Sequence, residues 1–154
     1  HESPRRGENF VPRKITTAAA RIAAGLPNKV GLGDLSAARD WGYAGDYVEA
    51  MWRMLQQDEP TDYVLATGES HSVTDWLDIA FARAGLRWED HVETDNSMFR
   101  SADPCMLLGN PHKAETELGW KRTVEFEELV DMMFDADKER VCQEIEKQAN
   151  KRSA

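Results

Sequence analysis

Apolar residues recur along the chain at spacings that predict helices separated by short strands. The first helix is predicted to begin near Pro12, a residue suited to the first helical turn, and to end at Gly25. Its apolar positions repeat at helical spacing: Ile15, Ala18, Ile22 and Leu26. This spacing places them on one face of the helix, which we expect to lie on the core. Residues 29–33 follow as a short strand interrupted by glycine.

Two further helices are predicted in the middle of the chain. The second covers about residues 44–57, and we expect its apolar face to lie on a core. That face consists of Val48, Met51, Trp52 and Leu55. Residues 63–67 are predicted to form a short buried strand. The third helix begins after Ser72, which can form an approximate capping box with Asp75, and it ends at Gly85.

The last third of the chain is predicted to be irregular at first and then helical. A short strand is expected at residues 91–93 and a short helix at residues 110–118, which Gly119 ends so that Trp120 packs back on it. The final helix begins near Thr123. Its predicted core positions are Phe126, Leu129, Val130, Met133 and Phe134.

Charged residues dominate the chain after Asp135. We therefore expect Val141 and Ile145 to lie on a peripheral or frayed extension. This divides the chain into a main lobe, residues 1–137, and a charged helical extension, residues 138–154. The alternation of strands and helices favours an α/β class, with mostly helices and too few strands for a complete doubly wound sheet.

Composition and charge narrow the possible functions. The net charge of −9 disfavours nonspecific nucleic-acid binding, which needs a basic face. Residues 1–30 carry six basic and two acidic side chains and sum to +4, so the remainder sums to −13. A small basic region on an acidic protein suits a compact anionic ligand. The alternative is that these cations are solvated or paired. No apolar run of about 18 residues is present, so no membrane span is predicted.

The start of the first helix is the strongest candidate for anion binding. Its unpaired N–H groups and partial positive charge favour a phosphate, and Arg13 and Lys14 lie in that turn. The alternative is an ion pair to Glu8 or to a remote carboxylate. Arg39 and Arg100 lie in turn-rich segments and could clamp a diphosphate by bidentate hydrogen bonds, although single loop arginines are more often structural.

Several other kinds of site lack support in the sequence. The four histidines and the two cysteines, Cys105 and Cys142, have no metal-ligand spacing, so no metal is expected. Two reduced thiols are typical of a cytoplasmic protein. The chain contains no Gly-x-Gly-x-x-Gly or Walker loop and no convincing acid/base pair, so we assign no catalytic residue.

Three segments resemble GDP-mannose 4,6-dehydratases. Residues 1–11, His-Glu-Ser-Pro-Arg-Arg-Gly-Glu-Asn-Phe-Val, are similar to the stretch that follows the catalytic Tyr-x-x-x-Lys of that family. Residues 32–68, which include Arg39-Asp40-Trp41-Gly42, are similar to its substrate domain. Residues 107–120 end in the Leu-Gly-Trp that sugar-nucleotide epimerases and dehydratases share. The likeness extends to about Asp137.

The resemblance implies the substrate-binding C-terminal part of an extended short-chain dehydrogenase/reductase (SDR) fold, with an incomplete Rossmann sheet. Family members are lyases that use NADP to convert GDP-mannose to GDP-4-dehydro-6-deoxy-mannose. Their cofactor loop and catalytic residues precede the first residue here. We therefore leave open whether this chain is itself an enzyme and expect the isolated chain to be inactive.

The resemblance also assigns binding residues. His1 and Arg6 match positions that contact NADP. The positions that match contacts to GDP are Lys14, Arg39 and Arg100. Val11 matches a position in the nucleotide pocket, and Asp103 stands where the family has a longer Glu. Pro104 follows it, lacks a backbone donor, and is expected to alter that loop.

These observations leave three interpretations open. The chain is a dehydratase fragment that binds GDP-mannose or GDP and needs a missing N-terminal Rossmann half. Alternatively, it is a non-catalytic nucleotide-sugar-binding module, or a self-associating remnant of a truncated gene. In the family, residues 63–67 are expected to join the Rossmann sheet. Without that sheet, we expect the chain to form a homo-oligomer or to expose a large apolar patch.

Overall fold

The computed structural model describes residues 1–27, 29–95, 97 and 107–152. The α-helices in this part of the chain are α1 (Val11–Ala23), α2 (Ala44–Met54), α3 (Val73–Arg83), α4 (His112–Glu117) and α5 (Phe126–Arg152), and a short 3-10 helix covers Trp88–Asp90. The strands are β1 (Val30–Leu32), β2 (Ala38–Arg39), β3 (His71–Ser72) and β4 (Val92–Thr94). Within the described ranges, no helix is long and apolar enough to cross a bilayer.

The strands form two small sheets. β1 pairs in parallel with β4, with Val30 opposite Val92, and β2 pairs antiparallel with β3, with Arg39 opposite His71. Parallel neighbours need a long crossover connection, and the chain between β1 and β4 supplies one that contains α2 and α3. The predicted strands at residues 29–33 and 91–93 are confirmed, and they are partners.

Helices α1, α3 and α5 surround the main core. Its fully buried side chains include Ile15, Trp76, Leu77, Phe81, Leu129, Val130 and Met133. The predicted inward faces of the first and final helices are therefore confirmed. The predicted ends are confirmed as well, because Gly25 and Gly85 adopt positive φ angles of 74° and 70° where α1 and α3 stop. Ser72 and Asp75 form the predicted capping box of α3.

A second, smaller core joins α2 to α4. It consists of Ala50, Ala114, Leu118 and Trp120. Gly119 takes a positive φ of 61°, and Trp120 packs back on the helix as predicted. The indole N–H of Trp120 donates to the carbonyl of Asp46 at 2.8 Å, which satisfies this buried donor.

The predicted burial of the α2 apolar face is wrong. Val48, Met51, Trp52 and Leu55 are 63%, 50%, 62% and 82% exposed. The opposite side of the helix, with Asp46, Tyr47 and Ala50, lies against the protein instead. Apolar spacing identifies a face that avoids water, but it does not identify the element that covers that face.

The predicted strand at residues 63–67 is also wrong for this chain. No strand among the described residues pairs with this segment, and Val64 is exposed. A β-strand needs a neighbouring strand for its backbone hydrogen bonds, so β-forming side chains alone do not produce one.

Helix α5 continues without a break across residue 137. Val141 is only 3% exposed and belongs to the main core, so its expected position on a peripheral extension is wrong. Ile145, one turn further, is 36% exposed. The proposed boundary between residues 137 and 138 stays a prediction.

A buried carboxylate contributes to the packing of α5 where its sequence becomes mostly charged. Asp137 is 1% exposed. Its Oδ1 lies 2.9 Å from Arg13 Nη2 and 2.8 Å from Arg140 Nη1. Its Oδ2 accepts hydrogen bonds from the hydroxyls of Thr16 at 2.6 Å and Thr17 at 3.2 Å. Two cations and two hydroxyls thus replace the water that the charge loses on burial.

We predict that Asp137→Ala lowers the free energy of unfolding by about 3–5 kcal/mol, because Arg13 would remain buried without its counter-charge. Denaturant unfolding monitored by circular dichroism measures this difference. Asp135→Ala, which removes an exposed carboxylate from the same helix, should have little effect. Equal losses for the two variants would contradict the role assigned to Asp137.

Candidate functional site

The N-terminal segment, residues 1–7, is tied to the start of α2. The Glu2 N–H donates to the Gly42 carbonyl at 2.8 Å, and the Ala44 N–H donates to the Glu2 carbonyl at the same distance. These bonds place the His1 ring over Tyr47, with 4.7 Å between ring centroids and 16° between planes. The segment has little regular structure, so these contacts determine where His1 lies.

Arg6 is held inside the same segment. Its Nε lies 3.3 Å from Glu2 Oε2 in an ion pair without hydrogen-bond geometry, and its guanidinium carbon lies 3.5 Å from the centroid of the Phe10 ring. Burial raises the pKa of the Glu2 carboxyl, although the positive charges of Arg6 and the N-terminus oppose the shift. Arg6 thus already has an anionic and an aromatic neighbour.

His1 and Arg39 line one open cavity of about 420 Å³. The other residues around it are Asp40, Tyr47, Val64, Leu65, Ala66, Leu107, Leu108 and Gly109. Arg39 reaches the cavity from β2 and is exposed, and its Nη1 donates to the Ala38 carbonyl at 2.7 Å. The cavity therefore combines a guanidinium, two aromatic rings and an apolar wall, a combination that suits an anionic ligand with a ring system.

Asp40 holds the far wall of the cavity in place. Its Oδ1 accepts from the Thr67 N–H at 2.8 Å and from the Thr67 hydroxyl at 2.7 Å. Its Oδ2 accepts from the N–H groups of Gly68 at 3.0 Å and Gly109 at 3.4 Å. With four donors on its two oxygens, this carboxylate holds together the segments that contain Thr67, Gly68 and Gly109.

Tyr47 packs tightly beside Gly42. A Cβ atom at residue 42 would lie 2.6 Å from the Tyr47 hydroxyl oxygen and 2.8 Å from Thr67 Cγ2, so this position requires glycine. Burial, followed by the negative charges of Asp40 and Asp46, raises the pKa of Tyr47 to about 12. Tyr47 is therefore a neutral wall of the cavity at physiological pH.

The other predicted site residues lie elsewhere. Lys14 is half-buried on α1 and does not line this cavity, and its ammonium has no hydrogen bond or ion pair within the described ranges. Val11 packs against the main core. Arg100 and Asp103 lie outside the described residues. The structure therefore brings together His1 and Arg39, and a shared site with Lys14 and Arg100 stays a prediction.

Arg13 resolves one alternative left open by the sequence. Its guanidinium pairs with the remote Asp137 and lies 3.8 Å from Glu8. Residue-based reasoning missed Asp40 and Tyr47 as parts of the cavity, and Gly42 as the residue that packs against Tyr47. Their position in the segment that starts at Arg39 was the signal that could have identified them. A glycine and a carboxylate next to a candidate phosphate ligand suggest that the chain packs closely around that ligand.

Known proteins resemble this chain in sequence and in fold. A sequence model of the family described as GDP-mannose 4,6 dehydratase matches residues 1–133. GDP-mannose 4,6 dehydratase 1 of Arabidopsis thaliana is 59% identical over 139 residues, which are 90% of this chain and 38% of that protein. The Homo sapiens GDP-mannose 4,6 dehydratase is 46% identical over 156 residues, covering 90% and 42%. The chain thus spans about two fifths of the length of these relatives.

Solved structures confirm the fold. RMD from Pseudomonas aeruginosa, complexed with NADPH, matches with a TM-score of 0.80 at 20% identity, over 90% of this chain and 46% of that one. The dTDP-glucose 4,6-dehydratase of Bacillus anthracis, in complex with NAD, matches with a TM-score of 0.75 at 16% identity, over 90% and 42%. These neighbours have the extended SDR fold, and this chain has its C-terminal part, with few strands and an incomplete sheet.

We predict that the free energy of unfolding declines as pH rises from about 10 to about 12, and that Tyr47→Phe makes the decline shallower. The folded-state pKa of Tyr47, about 12, lies above its ordinary value of 10.0. Its contribution to stability is therefore complete below pH 10, and it is lost through this window because the unfolded chain ionises first. Urea unfolding at several pH values measures the effect. Tyr43→Phe should retain the steeper decline; identical slopes for wild type and Tyr47→Phe would contradict the assignment.

Proposed function

We propose that this chain, which belongs to the GDP-mannose 4,6-dehydratase family, binds the nucleotide sugar GDP-mannose. In this proposal it is the substrate lobe of an enzyme that converts GDP-mannose to GDP-4-dehydro-6-deoxy-mannose with NADP. The observation that carries the proposal is the meeting of Arg39 and His1 in one cavity with Tyr47.

Arg39 is the proposed ligand of the pyrophosphate. A guanidinium can donate two parallel hydrogen bonds to phosphate oxygens, and its charge persists at any physiological pH. Asp40 supports the site from the adjacent position, because its bonds to Thr67, Gly68 and Gly109 hold the cavity wall. Lys14, Arg100, Asp103 and Val11 remain proposed contacts to the GDP moiety on the basis of family resemblance.

His1 and Arg6 are the proposed NADP contacts. The residues fit this role in that His1 is exposed at the cavity and its ring plane is set by the stack on Tyr47. Arg6 lies five residues along the same fixed segment and is held by Glu2 and Phe10. Bound NADP would supply the acceptor and donor of hydride, and these residues would bind and orient it.

We further propose that the isolated chain has no turnover. The sequence contains no Tyr-x-x-x-Lys and no glycine-rich dinucleotide loop. The proposed partner of this chain is the N-terminal Rossmann half of such an enzyme. The proposed location of the protein is the cytoplasm. The α2 apolar face, formed by Val48, Met51, Trp52 and Leu55, supports this partnership because a large exposed apolar surface is typical of an interface. The unpaired segment at residues 63–67 supports it as well.

The same exposed face favours a second candidate, a self-associating or non-catalytic binding module. Chains that expose such a helix face can bury it against a second copy. The two candidates differ in what covers the face, and both allow the cavity at Arg39 to bind a nucleotide.

We predict that GDP binds the chain and that Arg39→Ala weakens binding about 10- to 100-fold, because a charge-assisted contact to the pyrophosphate is lost. Isothermal titration calorimetry measures the affinities. Arg87→Ala removes an exposed guanidinium that does not line the cavity, so it should bind GDP like the wild type. Unchanged affinity in Arg39→Ala would remove this residue from the site.

Product formation from GDP-mannose and NADP by the isolated chain would refute the proposed inactivity.

We predict that the isolated chain associates as its concentration rises and that Trp52→Glu raises the dissociation constant at least about tenfold, because a charge in the α2 apolar face opposes its burial. Sedimentation velocity over a range of concentrations measures this. Gln57→Glu adds the same charge at an exposed position just after the helix and is the matched control. A wild type that stays monomeric at all concentrations would argue against self-association.

A further inference from the structure

We propose that Arg140, held by Asp137, positions the N-terminal segment that carries His1 and Arg6. The proposal concerns a residue outside the cavity and outside residues 1–133, the part that the family model matches. Its functional consequence depends on the proposed role of His1 and Arg6 in NADP binding, whereas its structural content does not.

The segment is fastened at two places. At Glu2, two backbone bonds join it to Gly42 and Ala44. At Pro4, two arginine side chains hold the backbone by hydrogen bonds. The Pro4 carbonyl accepts from Arg13 Nη1 at 3.1 Å and from Arg140 Nη2 at 2.6 Å.

Arg13 and Arg140 differ in their burial and in the groups that they contact. Arg13 is buried and also donates to the Arg6 carbonyl at 2.6 Å, so it belongs to the core and to the segment together. Arg140 is 42% exposed at its side chain and bridges Asp137 and Pro4 through separate Nη atoms. Asp137 orients both guanidiniums toward the segment because its Oδ1 contacts each of them.

Removal of Arg140 can therefore be separated from loss of the fold. Asp137 would keep its pair with Arg13 and its bonds to Thr16 and Thr17, so no buried charge would be left without a partner. The Pro4 carbonyl would keep the longer bond from Arg13. The expected result is local opening of residues 1–7 while the helical core stays intact.

The same contacts could instead serve only to attach α5 to α1. In that case, the Arg140 side chain would contribute to global stability, and the state of His1 would not depend on it. An experiment must therefore observe the segment itself as well as the stability of the whole chain.

The experiment compares Arg140→Ala with Lys138→Ala in the 154-residue chain. Lys138 is exposed on the same helix, so both variants remove one positive charge from α5. Trypsin cleavage after Arg5 or Arg6, followed by mass spectrometry, reports opening of the segment. The proton NMR signals of the His1 ring, assigned with a His1→Gln variant, report its stacking on Tyr47. Thermal unfolding measures global stability.

We expect Arg140→Ala to accelerate cleavage after Arg5 or Arg6 at least about tenfold, since a charge-assisted hydrogen bond is lost. The His1 ring signals should move toward the values of an unstructured histidine. Lys138→Ala should do neither. Arg140→Lys, which can occupy only one of the two contacts well, should recover part of the protection.

The proposal is overturned if Arg140→Ala lowers the unfolding temperature while segment cleavage and the His1 signals stay as in the wild type. It is also overturned if Lys138→Ala has effects equal to those of Arg140→Ala. GDP titration of the same variants keeps the two proposals apart: failure of the wild type to bind GDP would refute the proposed function, whereas the cleavage and NMR results would still decide the role of Arg140.

Discussion

The buried carboxylate of Asp137 joins three parts of this molecule: α1, α5 and the N-terminal segment. It pairs with Arg13 of α1 and Arg140 of α5, and through these two side chains it reaches the Pro4 carbonyl of the N-terminal segment. A buried charge is costly unless it is neutralised and hydrogen-bonded. The geometry meets both conditions, because Arg13 and Arg140 neutralise the charge and the hydroxyls of Thr16 and Thr17 donate hydrogen bonds to it.

This arrangement explains why neighbouring cations in the first turn of α1 have different environments. Arg13 lies on the buried side of the helix and is neutralised internally, whereas Lys14 is half-buried and has no ion pair within the described ranges. Arg39 lies on a different element and reaches the cavity beside His1. Among the cations that the sequence suggested for an anionic ligand, Arg13 thus belongs to a structural network, whereas Arg39 lines the cavity.

The cavity and the α2 apolar face differ in how far contacts within the chain hold them in place. Hydrogen bonds from Thr67, Gly68 and Gly109 to Asp40 hold the cavity wall. Gly42, which has no side chain, leaves room for the Tyr47 ring. The α2 face has no such support, because Trp52 and Leu55 are mostly exposed. Contacts within the chain thus form the cavity, whereas the described residues leave the α2 apolar face uncovered.

The sequence by itself determined the helices, one of the two strand pairs and the family. Helical spacing, the Ser72 capping box and the helix-ending glycines are short-range features, so α1, α3, α4 and the start of α5 could be predicted, as could both strands of the β1–β4 pair. The tertiary structure alone decided which apolar faces are covered, which cation Asp137 neutralises, and that Val141 is buried. These depend on contacts between residues distant in sequence, such as Arg13 and Asp137. The exposed α2 face and the unpaired residues 63–67 show the same limit of sequence-based prediction. A side-chain pattern indicates that a segment needs a partner, but it does not indicate whether the chain contains that partner.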